Sequence, residues 1–142
     1  MSKVGIYLNF AGDCEAAFRT YQTAFGGELE NLQRMSEVPA DPAHPVGEKE
    51  QDLVAHVSLT ILGGTDIMGT DVIEAMGSLR LGNNMTISLG LDDVAEADRI
   101  FAVLSRGGTD VQPLATMFWG AYWGTCQDAY GVRWMFNVPA PG

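Results

Sequence analysis

The sequence predicts an α+β fold made of two similar halves, each running strand, helix, then three strands. Three observations carry that prediction. An apolar-periodic stretch opening at Glu15-Ala16 and closing at Gly26-Gly27 returns at Glu96-Ala97 and closes at Gly107-Gly108. The same offset of 81 lays Ile6, Leu8 and Phe10 on Ile87, Leu89 and Leu91. An offset of 67 lays the later Gly64 and Met68 on Gly131 and Met135. A pattern that returns at fixed spacing signals repeated supersecondary units.

The helices are expected first. Cys14, Ala17, Phe18, Tyr21, Ala24 and Phe25 make one apolar stripe at three-to-four spacing, and Val94, Ala97, Ile100, Phe101 and Leu104 make the other. Asp13 and Asp93 stand where N-caps belong, with Glu96 completing a box-like pattern after Asp93. The glycine pairs stop both helices, because glycine accepts the left-handed conformation at a helix end.

Strands follow each helix. In the first half they are expected over 29–35, 53–62 and 66–70, and in the second over 109–112, 122–128 and 132–138. The modules then span 1–75 and 84–138. The drop in offset is assigned to 37–51, an acidic insertion carrying Pro39, Pro42 and Pro45 that reads as a mobile loop or a lid. Four strands alternate in the same way. Val57, Leu59 and Ile61 alternate with His56, Ser58 and Thr60, and Trp134 and Phe136 with Arg133, Met135 and Asn137. The apolar faces are expected to meet the helices, and the others to form a sheltered, ligand-facing surface.

Composition narrows the function. Eight basic residues stand against eighteen acidic ones, giving a net charge of -10. A surface that follows phosphates needs the opposite balance, so no nucleic-acid partner is expected. The opening residues lack a basic segment followed by a long apolar run, and no stretch approaches the ~20 apolar residues of a membrane span. The expectation is a cytoplasmic protein with no membrane partner. Cys14 and Cys126 have no motif spacing and read as buried thiols.

Candidate chemistry lies on the polar strand faces. His56 suits general acid–base work, Tyr7 can donate or stack, and Arg133 can clamp a carboxylate or phosphate, pairing otherwise with Asp66 or another carboxylate. Phe118, Trp119 and Trp123 can stack a planar or cationic ligand. Asn9, Asp66, Met68, Thr86, Ser88, Met135 and Asn137 complete the expected lining, with Met85 a further adaptable apolar contact. Asp71 and Asp128 end strands and read as turn residues.

Three stretches carry a family resemblance. They are Tyr7-Leu8-x-Phe10-x-Gly12 with Ala16 and Tyr21, then Phe25-Gly26-Gly27, then Trp119-Gly120 through Gly124, Asp128, Tyr130-Gly131-Val132-x-Trp134 and Asn137. The chain resembles the glyoxalase/bleomycin-resistance/extradiol-dioxygenase (vicinal oxygen chelate) superfamily, and within it the PhnB-like branch. The resemblance implies two βαβββ modules forming a curved eight-stranded sheet around a pocket, helices outside, in a homodimer. Metal-binding members place one ligand on the first and fourth strand of each module. Carried over, those positions are Gly5, Met68, Thr86 and Met135. Glycine, threonine and two methionines do not hold a hard or borderline divalent ion, so no metal and no other cofactor is expected. The branch's methyltransferase label finds no support, since no glycine-rich strand-to-helix loop is followed by an acidic residue. Bleomycin-resistance members are acidic dimers that hold a cationic ligand without a protein-bound metal. The resemblance therefore implies a metal-free binding protein for an unidentified small molecule, cationic or aromatic. The alternative is a lyase, isomerase or dioxygenase-type enzyme using His56, Tyr7 and Arg133, or a non-standard metal site of Asp66, His56 and Asn137.

Overall fold

The computed structural model describes residues 2–141. The chain divides into two compact units, Met1–Arg80 and Leu81–Gly142. Unit 1 contains β1 (Ile6–Phe10), α1 (Cys14–Phe25), β2 (Glu30–Arg34), β3 (Val54–Ile61) and β4 (Thr65–Asp71). Unit 2 contains β5 (Ile87–Gly90), α2 (Val94–Leu104), β6 (Thr109–Thr116), β7 (Tyr122–Gln127) and β8 (Arg133–Val138). Each unit is βαβββ. The eight expected strands are hydrogen-bonded as two four-stranded sheets, in the orders β1-β4-β3-β2 and β5-β8-β7-β6. The first and fourth strands of each unit run parallel, and the other neighbours antiparallel.

Both helices cover the expected span. Cys14, Ala17, Phe18, Tyr21 and Ala24 are buried along α1, and Ala97, Ile100 and Leu104 along α2, while Phe25 and Phe101 are half-buried and Val94 stays exposed. These stripes lie on the apolar strand faces, where Phe10, Val57, Leu59 and Ile67 are buried in unit 1, and Leu89, Trp134 and Phe136 in unit 2. Gly69 is required by the closeness of α1. A Cβ there would stand 2.5 Å from Phe18 Cε1 and 3.1 Å from Cys14 Sγ.

The caps correct one expectation. Asp93 accepts a hydrogen bond from Glu96 N at 2.7 Å, so the second N-cap is present. Asp13 occupies the first N-cap position without a side-chain bond. Asp71, at the end of β4, does that work. Its Oδ1 accepts from Gly12 N and Cys14 N, both at 2.9 Å, and its Oδ2 accepts from Val54 N at 2.9 Å. One carboxylate joins the start of α1 to β3, a long-range role that a turn reading misses. Asp128 does keep its turn role. Its Oδ1 accepts from Tyr130 N and Val132 N, and its Oδ2 from the Trp134 indole at 2.9 Å.

Strand bounds differ by a residue or two, except that β6 runs on to Thr116. Register shifts after Glu30 and after Thr109 mark irregularities in β2 and β6. Each contains a non-glycine residue in the left-handed region, Asn31 at φ 55° and Asp110 at φ 50°. Residues 37–51 include a short 3-10 turn at Glu48–Glu50. Glu50 accepts from Gly47 N and Glu74 N, both at 2.7 Å, tying the insertion to the segment after β4. Among the described residues, no helix is long and apolar enough to cross a membrane.

Candidate functional site

Strand register arranges the polar face of unit 1 in rows. Tyr7 and Ser58 both pair with Met68, and Asn9 pairs with Thr70. The Tyr7 and His56 rings tilt toward each other with centroids 6.0 Å apart. Tyr7 is 49% exposed, His56 and Met68 are half-buried, and Asn9 is exposed. Burial pushes the Tyr7 phenol above its ordinary pKa, and a hydrogen bond with the Thr70 side chain opposes part of that rise. This group lies away from α1, because Phe10, Ile67, Val57 and Leu59 take the helix-facing positions.

Asp66 is already engaged. Its Oδ2 meets Lys3 Nζ at 2.9 Å and its Oδ1 accepts from the Thr60 hydroxyl at 2.7 Å. Those two bonds, Lys3 first, hold its carboxyl below the usual range. The pairing of Arg133 with Asp66 is therefore corrected. Arg133 donates through Nη1 to Asp110 Oδ2 at 3.2 Å and to Gln127 Oε1 at 3.0 Å. Its expected alternative, another carboxylate, is the one found.

The polar face of unit 2 repeats the same row logic. Ser88 and Thr125 both pair with Met135, and Gly90 and Trp123 both pair with Asn137. Ser88 thus takes the row position of Tyr7, and Thr125 that of Ser58. Thr86 is exposed and lies just before β5. Phe118 and Trp119 stack edge to face at 4.8 Å, and Trp119 and Trp123 at 6.2 Å. Phe118 is 98% exposed and Trp119 51%. Met85 is likewise exposed.

None of the four positions that the resemblance assigns to metal ligands, two in each unit, carries a side chain that holds a hard or borderline divalent ion. Gly5 brings no side chain, and a Cβ there would stand 2.9 Å from the Met68 methyl, which fills that space. Thr86 and Met135 offer a hydroxyl and a thioether. Among the described residues, no group of three His, Cys, Asp or Glu side chains is placed to hold a metal ion. Of the proposed Asp66, His56 and Asn137 set, Asp66 spends both oxygens on Lys3 and Thr60.

The structure brings Tyr7 and His56 together in unit 1, beside Met68, while Arg133 lies in unit 2. Thr70, Gln127 and Asp110 were not legible as site residues. Only the left-handed backbone of Asp110 distinguishes it, and aspartate tolerates that conformation without leaving a motif.

Two βαβββ units, each with a polar face turned away from its helix, define the class of fold. Residues 3–136 match the family described as the Glyoxalase/Bleomycin resistance protein/Dioxygenase superfamily, and the chain belongs to it. It is 33% identical over 138 residues to protein YjdN of Escherichia coli strain K12, covering 93% of this chain and 92% of that one. Among solved structures it resembles protein PA1353 from Pseudomonas aeruginosa at 32% identity and a TM-score of 0.85, covering 99% and 100% of the two chains. It also resembles a Bacillus cereus PhnB protein described as a putative 3-demethylubiquinone-9 3-methyltransferase. That match has 22% identity and a TM-score of 0.75 over 97% and 100% of the chains. At that identity the likeness speaks for the fold alone.

Proposed function

We propose that this chain binds a small molecule without a protein-bound metal ion, as a cytoplasmic homodimer built on an internally duplicated scaffold. The carrying observation is the aromatic group of unit 2. Phe118, Trp119 and Trp123 stack on one another, yet Phe118 is 98% and Trp119 51% exposed. Leaving that much aromatic surface in water forgoes roughly 25 cal/mol per Å², and a planar ligand recovers it. A cationic aromatic ligand gains further from the ring faces and from the net charge of -10. The donor chemistry at Gly5, Met68, Thr86 and Met135 supports the metal-free part of this reading.

The test has two arms. Elemental mass spectrometry after growth with Mn, Fe, Ni and Zn should find less than about a tenth of an ion per chain, whereas structural or catalytic sites load near stoichiometry. A thermal-shift screen of aromatic cations should yield binders that Trp119→Ala weakens. Near-stoichiometric metal, or binders indifferent to Trp119→Ala, would refute the proposal.

A second reading rests on the Tyr7–His56 contact, which supports metal-independent proton transfer on unit 1. In that case His56→Gln should abolish turnover of an identified substrate while the fold persists.

A further inference from the structure

Arg133 opens the polar face of β8, one residue before the buried Trp134 and two before Met135. Its guanidinium has five N–H donors in a fixed plane. Among the described residues only Nη1 finds hydrogen-bond partners, Asp110 and Gln127. Nε is buried and has no partner among them. A buried donor left unsatisfied is costly, more so on a charged group, and native structures contain few of them.

The partners of Nη1 fix which edge remains. Gln127 stands directly across from Arg133 on β7. Asp110 reaches Nη1 from β6, where its backbone is held at φ 50° beside a register shift. Strained backbone and strand irregularities gather where a side chain must be aimed. With Nη1 committed, the Nε–Nη2 edge is the one left for an incoming group. That edge presents two parallel N–H bonds, the geometry that matches a carboxylate or phosphoryl oxygen pair. The Arg133 side chain as a whole keeps 21% of its exposure while Nε itself is covered, so an oxygen pair reaches the Nε–Nη2 edge by displacing what covers Nε.

We infer that Arg133 anchors an oxyanion of the ligand, carboxylate or phosphoryl, through its Nε–Nη2 edge on the polar face of unit 2. This rests on the reading of that face as a ligand surface. It adds a second recognition element to the aromatic group. Arg133 and Asn137, the partner of Trp123, are four residues apart on β8, which is about 13 Å of strand. A ligand that meets both is elongated, aromatic or cationic at one end and acidic at the other. Asp110 offsets part of the Arg133 charge at 3.2 Å and more distant charges are screened beyond about 8 Å at physiological salt, so the paired N–H bonds rather than net charge hold the oxyanion.

The experiment follows the Arg133 Nε–Hε cross-peak in nitrogen-15 NMR of the full chain, assigned by its loss in Arg133→Lys. Benzoate and inorganic phosphate are titrated separately, with benzamide as the neutral isostere of benzoate. The expected result is a saturable downfield shift of Hε with benzoate, phosphate or both, which identifies the oxyanion class. Where benzoate binds, benzamide should bind at least tenfold more weakly, and Arg133→Lys should weaken the active anion at least tenfold. An Hε unmoved by both anions, benzamide equal to a benzoate that binds, or an indifferent Arg133→Lys would each overturn the inference. The indole N–H peaks of Trp119 and Trp123, titrated with benzyltrimethylammonium, report the aromatic reading separately. A responsive indole with a silent Hε sinks the anchor alone. A responsive Hε with silent indoles sinks the aromatic reading and leaves the anchor standing.

Discussion

Replacing Asp71 with alanine removes one carboxylate and orphans three backbone donors, Gly12 N, Cys14 N and Val54 N. The bond to Gly12 is only part-buried, so water can replace it at little cost. The bonds to Cys14 and Val54 are buried, and Asp71 itself is 1% exposed. Each buried donor left without a partner costs about 1–3 kcal/mol, so the substitution costs about 4 kcal/mol. At about 2.1 cal/mol/K per residue, unfolding 142 residues carries an entropy of about 0.3 kcal/mol/K. The melting temperature should then fall by about 13 °C in differential scanning calorimetry. Asp71→Asn keeps Oδ1 for Gly12 and Cys14 but presents an amide donor to Val54 N–H, so it should lose about half as much. A fall below about 4 °C for Asp71→Ala would refute the reasoning, since the start of α1 would then be held by something other than this carboxylate.

Asp128→Ala removes the partner of the Trp134 indole and of two turn N–H groups, so a loss of about 2–4 kcal/mol in urea unfolding and an altered near-ultraviolet spectrum are expected. Gly69→Ala drives a methyl into Phe18 and should lower stability by about 1–3 kcal/mol, read from the midpoint of the same curve. Burial first, then Asp128, pushes the Cys126 thiol up from 9.0 to about 12, so it should resist a disulfide reagent at pH 8 until the chain is denatured. The unfolded thiol ionises near 9 while the folded one keeps its proton, so this stability is complete below pH 9 and is lost as pH rises toward 12. Cys126→Ala should flatten that decline in melting scans between pH 9 and 11, and an unchanged slope would count against it.

The order of elements, both helix spans and the two-faced strands are legible in the chain alone. These follow from local periodicity, glycine stops and alternation, which act over a few residues and are written in the chain. The offsets of 81 and 67 also fixed row equivalences, so Tyr7 and Ser88 take matching positions against Met68 and Met135. The family resemblance supplies Thr86 and Met135 as ligand positions, and the same offsets carry them to Gly5 and Met68. The side-chain pairings instead depend on partners far apart in the chain. Asp71 caps α1 across 57 residues, in place of the Asp13 that local reading favours. Arg133 pairs with Asp110 across 23 residues, and Asp66 goes to Lys3 across 63. Spacing cannot announce such pairs, because a carboxylate attracts whichever donor the fold brings near. The exposure of Phe118 and Trp119 was equally hidden, since aromatic residues in a loop read the same whether they face water or a core.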